Sequence, residues 1–240
     1  MRLVYIFHSG FVIEARNFSI LIDYYKDTGF HPRQGYVHDV LLKRDEPLYI
    51  LASHSHPDHF NREILSWKEQ KANITYLFSR DILHHKKAKG DAAVYLLKGE
   101  TYKDEHIELK AFGTTDMGIS FLIRAEGKTI FHAGDLNNWH WKAESTQEEV
   151  AIMERDFLNE VKLLHKTTER LDLAMFPVDP RLGEDYALGA QQFIEYMQVG
   201  LFVPMHFAET YRALPPFCRY AKERGVESIC WHEKGESIEF

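Results

Sequence analysis

The rhythm of apolar and polar positions changes midway along the chain. From Arg2 to Asp23, short β-branched and aromatic runs alternate with turn residues at Ser9-Gly10 and Arg16-Asn17, which predicts two or three antiparallel strands. Residues 48–52, 74–78, 94–97 and 107–112 read as further strands, and 119–123 with 128–132 as a hairpin turning at Glu126-Gly127. Asn61 caps a predicted helix over 62–71, and 79–87 suits a short helix with His84 and His85 on its solvent side. Later the spacing becomes helical. Val150, Met153, Phe157, Val161 and Leu164 recur at three and four, predicting an amphipathic helix over 146–168. Strand 171–176, helix 185–199, strand 201–203, helix 216–224 and strand 228–231 complete the series. The order predicts an α/β fold of two similar halves. No low-complexity linker or tandem repeat divides the chain, so residues 1–240 are expected to form one domain. The long connection 24–46, with His31, Pro32, Gly35 and His38, predicts a functional flap.

One stretch resists a purely structural reading. Ser53-His54-Ser55-His56-Pro57-Asp58-His59 follows the apolar run Leu48-Tyr49-Ile50-Leu51-Ala52 and packs three imidazoles and a carboxylate into a short loop. Such groups bury poorly unless paired or bound to metal. Imidazole and carboxylate are also the usual ligands of zinc and related ions. His54 and His56, two apart, project to one side of an extended segment. The turn at Pro57 lets Asp58 and His59 face a second position. A His-rich surface loop is the alternative, and the strand before the motif argues against it.

The motif resembles that of the metallo-β-lactamase superfamily of metal-dependent hydrolases. Three further landmarks look like those of the family: Ile20-Leu21-Ile22-Asp23, Thr129-Ile130-Phe131-His132-Ala133-Gly134-Asp135 and Val203-Pro204-Met205-His206. All occur in the family's order and span Asp23 to His206. The opening Phe7-His8-Ser9-Gly10-Phe11-Val12-Ile13-Glu14 is closest to the branch that includes L-ascorbate-6-phosphate lactonase. The resemblance implies a four-layer αβ/βα sandwich of two packed mixed β-sheets with helices on the outer faces. It implies His54 and His56 on one metal, Asp58, His59 and His206 on the other, and Asp135 between both. One or two Zn²⁺ or Mn²⁺ ions would then supply a metal-bound hydroxide that attacks a small-molecule ester, lactone or phosphorylated substrate. Asp58 would orient or deprotonate the nucleophile. The same site supports a phosphodiesterase or nuclease. A metal- or ligand-binding protein that kept the scaffold without turnover is a third reading.

The chain departs from the family pattern at one position. In the family a third histidine normally completes the first metal site; the corresponding loop here reads Gly113-Thr114-Thr115-Asp116-Met117-Gly118, with Thr115, or Asp116 if the register slips by one, at the aligned position. Asp116 as an oxygen ligand is the preferred substitute; an Asp in a turn before Gly118 is the structural alternative. Alternatively the first site is weak and a single metal is held by Asp58, His59, Asp135 and His206, or a histidine from elsewhere, such as His8, His106 or His132, fills the gap. His132 and His140 are candidates for protonating the leaving group, and His8 for bordering the pocket. Trp139 and Trp141 either wall the substrate or pack beneath the long helix. Arg181 either recognises a carboxylate or phosphate or pairs with Asp179 or Glu184.

Composition narrows the functions. A net charge of −7 counts against nucleic-acid partners, which usually meet a basic excess, and favours a small-molecule substrate. No apolar run approaches the ~20 residues of a membrane helix, and the apolar start before His8 is too short for a signal peptide. Cys218 and Cys230 match no metal or redox spacing and read as buried free thiols, consistent with a cytoplasmic setting.

Overall fold

The computed structural model describes residues 1–240, which form two compact units: 1–97 with 232–240, and 98–231. The first unit begins with β1 (Arg2–Phe7), β2 (Gly10–Glu14) and β3 (Ser19–Ile22). After the short helix α1 (Tyr36–Asp39) come β4 (Leu48–Ala52), β5 (Ile74–Ser79), helix α2 (Arg80–His84) and β6 (Val94–Leu96). These strands pair in sequence order, antiparallel from β1 to β3 and parallel from β3 to β6. β2, β3 and β4 are buried along their whole length, which is why they read as continuous apolar runs rather than alternating ones.

The second unit contains β7 (Thr101–Lys103), β8 (Glu108–Gly113), β9 (Ile119–Ala125), β10 (Lys128–His132) and the long helix α3 (Gln147–Thr167). It continues through β11 (Arg170–Pro177), α4 (Leu188–Tyr196), β12 (Gln198–Met205), α5 (Leu214–Glu223) and β13 (Glu227–Ser228). Its sheet order is β13-β12-β11-β10-β9-β8-β7, antiparallel from β7 to β10 and parallel beyond. The β9–β10 hairpin turns at Glu126 and Gly127, both with positive φ (47° and 77°), as a tight hairpin requires. Thr146 and Glu149 form a reciprocal capping box that fixes the start of α3. Phenylalanines join this unit's helices to its strands. Phe176 of β11 meets Phe157 of α3 at 6.1 Å and Phe193 of α4 at 4.5 Å, and Phe202 of β12 meets Phe217 of α5 at 4.7 Å. The chain then returns to the first sheet as β14 (Ser237–Glu239), antiparallel to β1.

The architecture is therefore the expected α/β fold with two mixed sheets and helices. Local differences have physical causes. Residues 62–69 wind as a 3-10 helix rather than an α-helix, with Asn61 capping as predicted by accepting from the Glu63 amide. The helix expected over 185–199 is shorter: α4 follows a 3-10 stretch over 180–185 in which Gly183 lies outside helical space, and 198–199 already belong to β12. β7 and β14 escaped sequence reading because Thr-Tyr-Lys and Ser-Ile-Glu carry too little apolar pattern. Cys218 and Cys230 are not free thiols. α5 and the segment after β13 bring their Cα atoms to 6.4 Å, and a disulfide joins them. The cytoplasmic expectation thereby loses its support from the cysteines. No helix is long and apolar enough to cross a membrane.

Closing this short loop constrains the unfolded chain. Reduction, or Cys230→Ser, is expected to lower unfolding stability by about 3 kcal/mol. Urea titrations with and without a dithiol reductant measure this; an unchanged midpoint would show that the crosslink is energetically idle.

Candidate metal centre

In each unit the parallel strands deliver their C-terminal ends, and the loops that follow them, to one edge of the sheet. α/β proteins gather functional groups at such edges. In the first unit that edge carries His8 after β1, Asp23 after β3 and residues 53–59 after β4. Asp23 is fully buried and organises the motif loop. Its Oδ1 accepts from the Ser53 amide at 2.7 Å, and its Oδ2 accepts from Ser53 Oγ at 2.7 Å and contacts His59 Nδ1 at 2.7 Å. With Nδ1 donating to this carboxylate, His59 presents Nε2 as its ligand nitrogen. His54 Nε2 lies 3.1 Å from His56 Nδ1, and the His54 and His59 rings are 4.1 Å apart. His54 and His59 are fully buried. The Ser55 amide donates to Asp81 Oδ2 at 2.8 Å, fixing the far side of the loop to α2.

His8 joins this group. Its Nε2 is 3.4 Å from Asp58 Oδ2, and its ring meets His59 edge-on at 5.8 Å. One ligand atom each from His8, Asp58 and His59 falls within a 4.8 Å set. Burial pushes the Asp58 carboxyl up, but the His8 hydrogen bond and the charges of His59 and His8 outweigh it and hold Asp58 well below the usual carboxylate range.

The second unit builds a parallel arrangement. Asp135 follows β10, Asp179 follows β11 and His206 follows β12, all three buried. His206 Nδ1 meets Asp179 Oδ2 at 2.9 Å, and its Nε2 lies 3.3 Å from Asp135 Oδ1. Burial alone would lower the His206 pKa, but Asp135 and then Asp179 raise it to about 10. Two carboxylates around one imidazole thus make a place for a cation, whether a proton or a metal ion. Arg181 donates to both oxygens of Asp179 through Nε and Nη2, confirming the ion pair that was the alternative to substrate recognition. Burial raises the Asp179 carboxyl, while hydrogen bonds from His206 and Arg181 bring it down to about 2.

The other predicted site residues separate clearly. His132 is fully buried in the sheet, and its Nδ1 accepts from the Gly134 amide at 3.1 Å, shaping the turn before Asp135. His140 is also buried. Its Nδ1 accepts from the Lys142 amide and its Nε2 faces the Asp185 carbonyl at 3.2 Å, so both nitrogens serve to hold the loop. That use argues against the proton-donor role expected of it. Asp116 is exposed and lines a surface hollow of about 360 Å³ with Met153, Asp156, Asn159 and Glu160 of α3. Thr115 instead approaches the Asp135 loop, its Oγ donating to the Asn137 carbonyl and accepting from the Asn137 amide. The turn therefore points the Asp116 carboxylate outward, and Thr115, not Asp116, faces the Asp135 loop. His106 pairs with its neighbour Glu105. Trp139 packs edge-on to His206 at 5.5 Å, stacks on Trp141 and donates its indole N–H to the Asp135 carbonyl, so it buttresses the site.

Sequence reading missed Asp179 and Asp81 as positioning residues, and read Asp23 only as a family landmark. It also missed the latch behind Asp135: Asn138 donates to Gln192, which donates to Glu154, and Asn137 sits so close to α4 that a Cβ on Gly189 would lie 1.9 Å from its Oδ1.

Comparison with known proteins agrees with this fold. A family model described as "Beta-lactamase superfamily domain" matches residues 2–155. A UPF0173 metal-dependent hydrolase of Desulforamulus reducens is 25% identical over 226 residues, covering 86% of this chain and 84% of the relative. Among solved structures, the metallo hydrolase Igni18 of Ignicoccus hospitalis superposes with a TM-score of 0.71 at 18% identity, over 100% of this chain and 98% of its own. The diiron β-hydroxylase CmlA of Streptomyces venezuelae superposes at 0.69 and 13% identity, over 100% of this chain and 54% of its own.

Two substitutions test the assignments. Asp179→Asn keeps the shape but weakens the anchor of His206, and metal affinity should fall roughly 10–100-fold, read by competition with a chromophoric chelator. Asp116→Ala should retain the wild-type metal content by elemental analysis; loss of one equivalent would restore Asp116 as a ligand.

Proposed function

The chain belongs to the β-lactamase superfamily and is one of its metal-dependent hydrolases, and we propose that it cleaves a small-molecule ester, lactone or phosphorylated compound. We propose that His54, His56, Asp58 and His59 of the first unit, and Asp135 and His206 of the second, are metal ligands, for zinc or manganese by ligand type. The observation that carries this reading is the paired orientation of two imidazoles by buried carboxylates, His59 by Asp23 and His206 by Asp179. Carboxylate–histidine pairs of this kind fix the ring tautomer and raise the basicity of the ligand nitrogen, which is the preparation a metal requires. The donor set therefore fits the ions that the family implies.

When bound, the ions supply Lewis acidity that activates water and polarises the bond to be cleaved. The remaining work falls to the chain's own groups. Asp58, kept ionised beside His8, accepts a hydrogen bond from the attacking nucleophile and aims it. Asp23 and Asp179 hold the Nδ1 sides of His59 and His206, fixing the orientation of each ring and leaving Nε2 as the nitrogen that would meet an ion. Trp139, with its indole hydrogen-bonded to the Asp135 carbonyl, shields the His206 side from water.

The test is elemental analysis of protein purified without chelator, alongside turnover of a panel of esters, lactones and phosphate esters. Activity should vanish on chelation and return with zinc or manganese. Retained metal with no turnover of any compound would instead favour a binding protein.

A further inference from the structure

The loop that follows Asp23 carries a cation that nothing in the metal centre uses. Lys26 is exposed, and its ammonium sits 3.7 Å from the centre of the Phe7 ring and 6.0 Å from that of Tyr25. It has no carboxylate partner. Its neighbour Asp27 cannot serve, because that buried carboxylate is fully engaged. Asp27 accepts from the amides of Thr28, Val37 and His38 at 2.7, 3.0 and 2.9 Å, and contacts His38 Nδ1 at 2.8 Å. The surrounding backbone is also fixed: Asn61 donates from its amide to the Tyr24 carbonyl and from its side chain to the Tyr25 carbonyl. The base of the loop is thus tied to the segment directly after the metal motif, and Lys26 is held there on an aromatic face.

That face borders the chemistry. Phe7 ends β1, immediately before His8, and the two rings are 6.1 Å apart, with His8 in turn against Asp58. Tyr25, 37% exposed, flanks Phe7 at 5.7 Å. Lys234 adds a second ammonium 5.7 Å from Phe7 and 5.9 Å from Phe30, whose side chain is entirely exposed. Two ammoniums thus rest around one aromatic ring beside the metal motif. Cation–π contact explains where the lysines rest, but as glue an exposed pair of this kind contributes little.

We propose that Lys26, on the Phe7–Tyr25 face, is the specificity determinant for an anionic substituent, a carboxylate or phosphate, carried by the substrate next to the bond that is cleaved. This rests on the hydrolase reading and narrows it to anionic small molecules. The ammonium leaves the ring face to donate to the anion, and the pinned backbone limits the ordering this requires.

Lys26→Gln keeps the stem that packs on Phe7 and removes the charge; Lys26→Arg restores the charge. With metal-loaded protein, paired neutral and anionic esters or lactones give the ratio of their kcat/KM values. Lys26→Gln should lower the anionic-to-neutral ratio roughly tenfold, with neutral substrates unchanged, and Lys26→Arg should recover most of it. Calorimetric titration with inorganic phosphate and with acetate is read in parallel and needs no turnover. Phosphate affinity falling with the charge of residue 26 supports a phosphate-bearing substrate, and acetate affinity falling supports a carboxylate. If nothing in the panel is turned over but anion binding still depends on Lys26, the hydrolase reading fails and the anion site stands. If turnover and titrations are both indifferent to Lys26→Gln, the proposal is overturned and the lysine is only packing.

Discussion

The contact on which this site depends is a carboxylate held against the Nδ1 of a histidine, made once in each unit. Asp23 does this for His59, and Asp179 for His206. Burying either imidazole without its carboxylate would leave a donor unsatisfied, and burying either carboxylate alone would cost several kcal/mol. The pairs are stable only because each carboxylate is also saturated from behind, Asp23 by Ser53 and Asp179 by Arg181. Each histidine is therefore positioned by a chain of groups reaching back into a strand end. Orientation is built into the fold rather than induced by the ligand.

The backbone shows the same concentration of constraint. His8, Asp23 and His206 all adopt positive φ, of 58°, 48° and 65°, a region costly for residues other than glycine. Each stands just past a strand end, where the chain must turn sharply while aiming a polar side chain along the sheet edge. Conformations of this kind persist where the surroundings over-determine them, and they cluster at functional sites. The hydrogen bonds around Asp23 and His206 are what over-determine them here.

Much of this was legible in the sequence, for identifiable reasons. Strands such as 48–52 stood out because burial on both faces writes an unbroken apolar run. Helix α3 stood out because one buried stripe, Phe157, Val161 and Leu164, repeats at helical spacing. The histidine motif was visible because its residue types are improbable in any other buried setting. What stayed hidden depends on pairing across distance. Asp179 is one carboxylate among many until β11 and β12 place it against His206, and the Cys218–Cys230 crosslink depends on how α5 packs beside β13. The choice between Thr115 and Asp116 turned on the direction of a single turn, which residue type does not encode.

The return of the chain as β14 has a consequence for biosynthesis. The first sheet takes its edge strand from residues 237–239, made after the whole of the second unit. During synthesis, β1 therefore waits beside an unfilled edge while more than half of the chain is still being added. Its exposed backbone groups are a template for pairing with other chains. Nascent chains halted before Ser237 would be expected to need protection by chaperones that the finished protein does not.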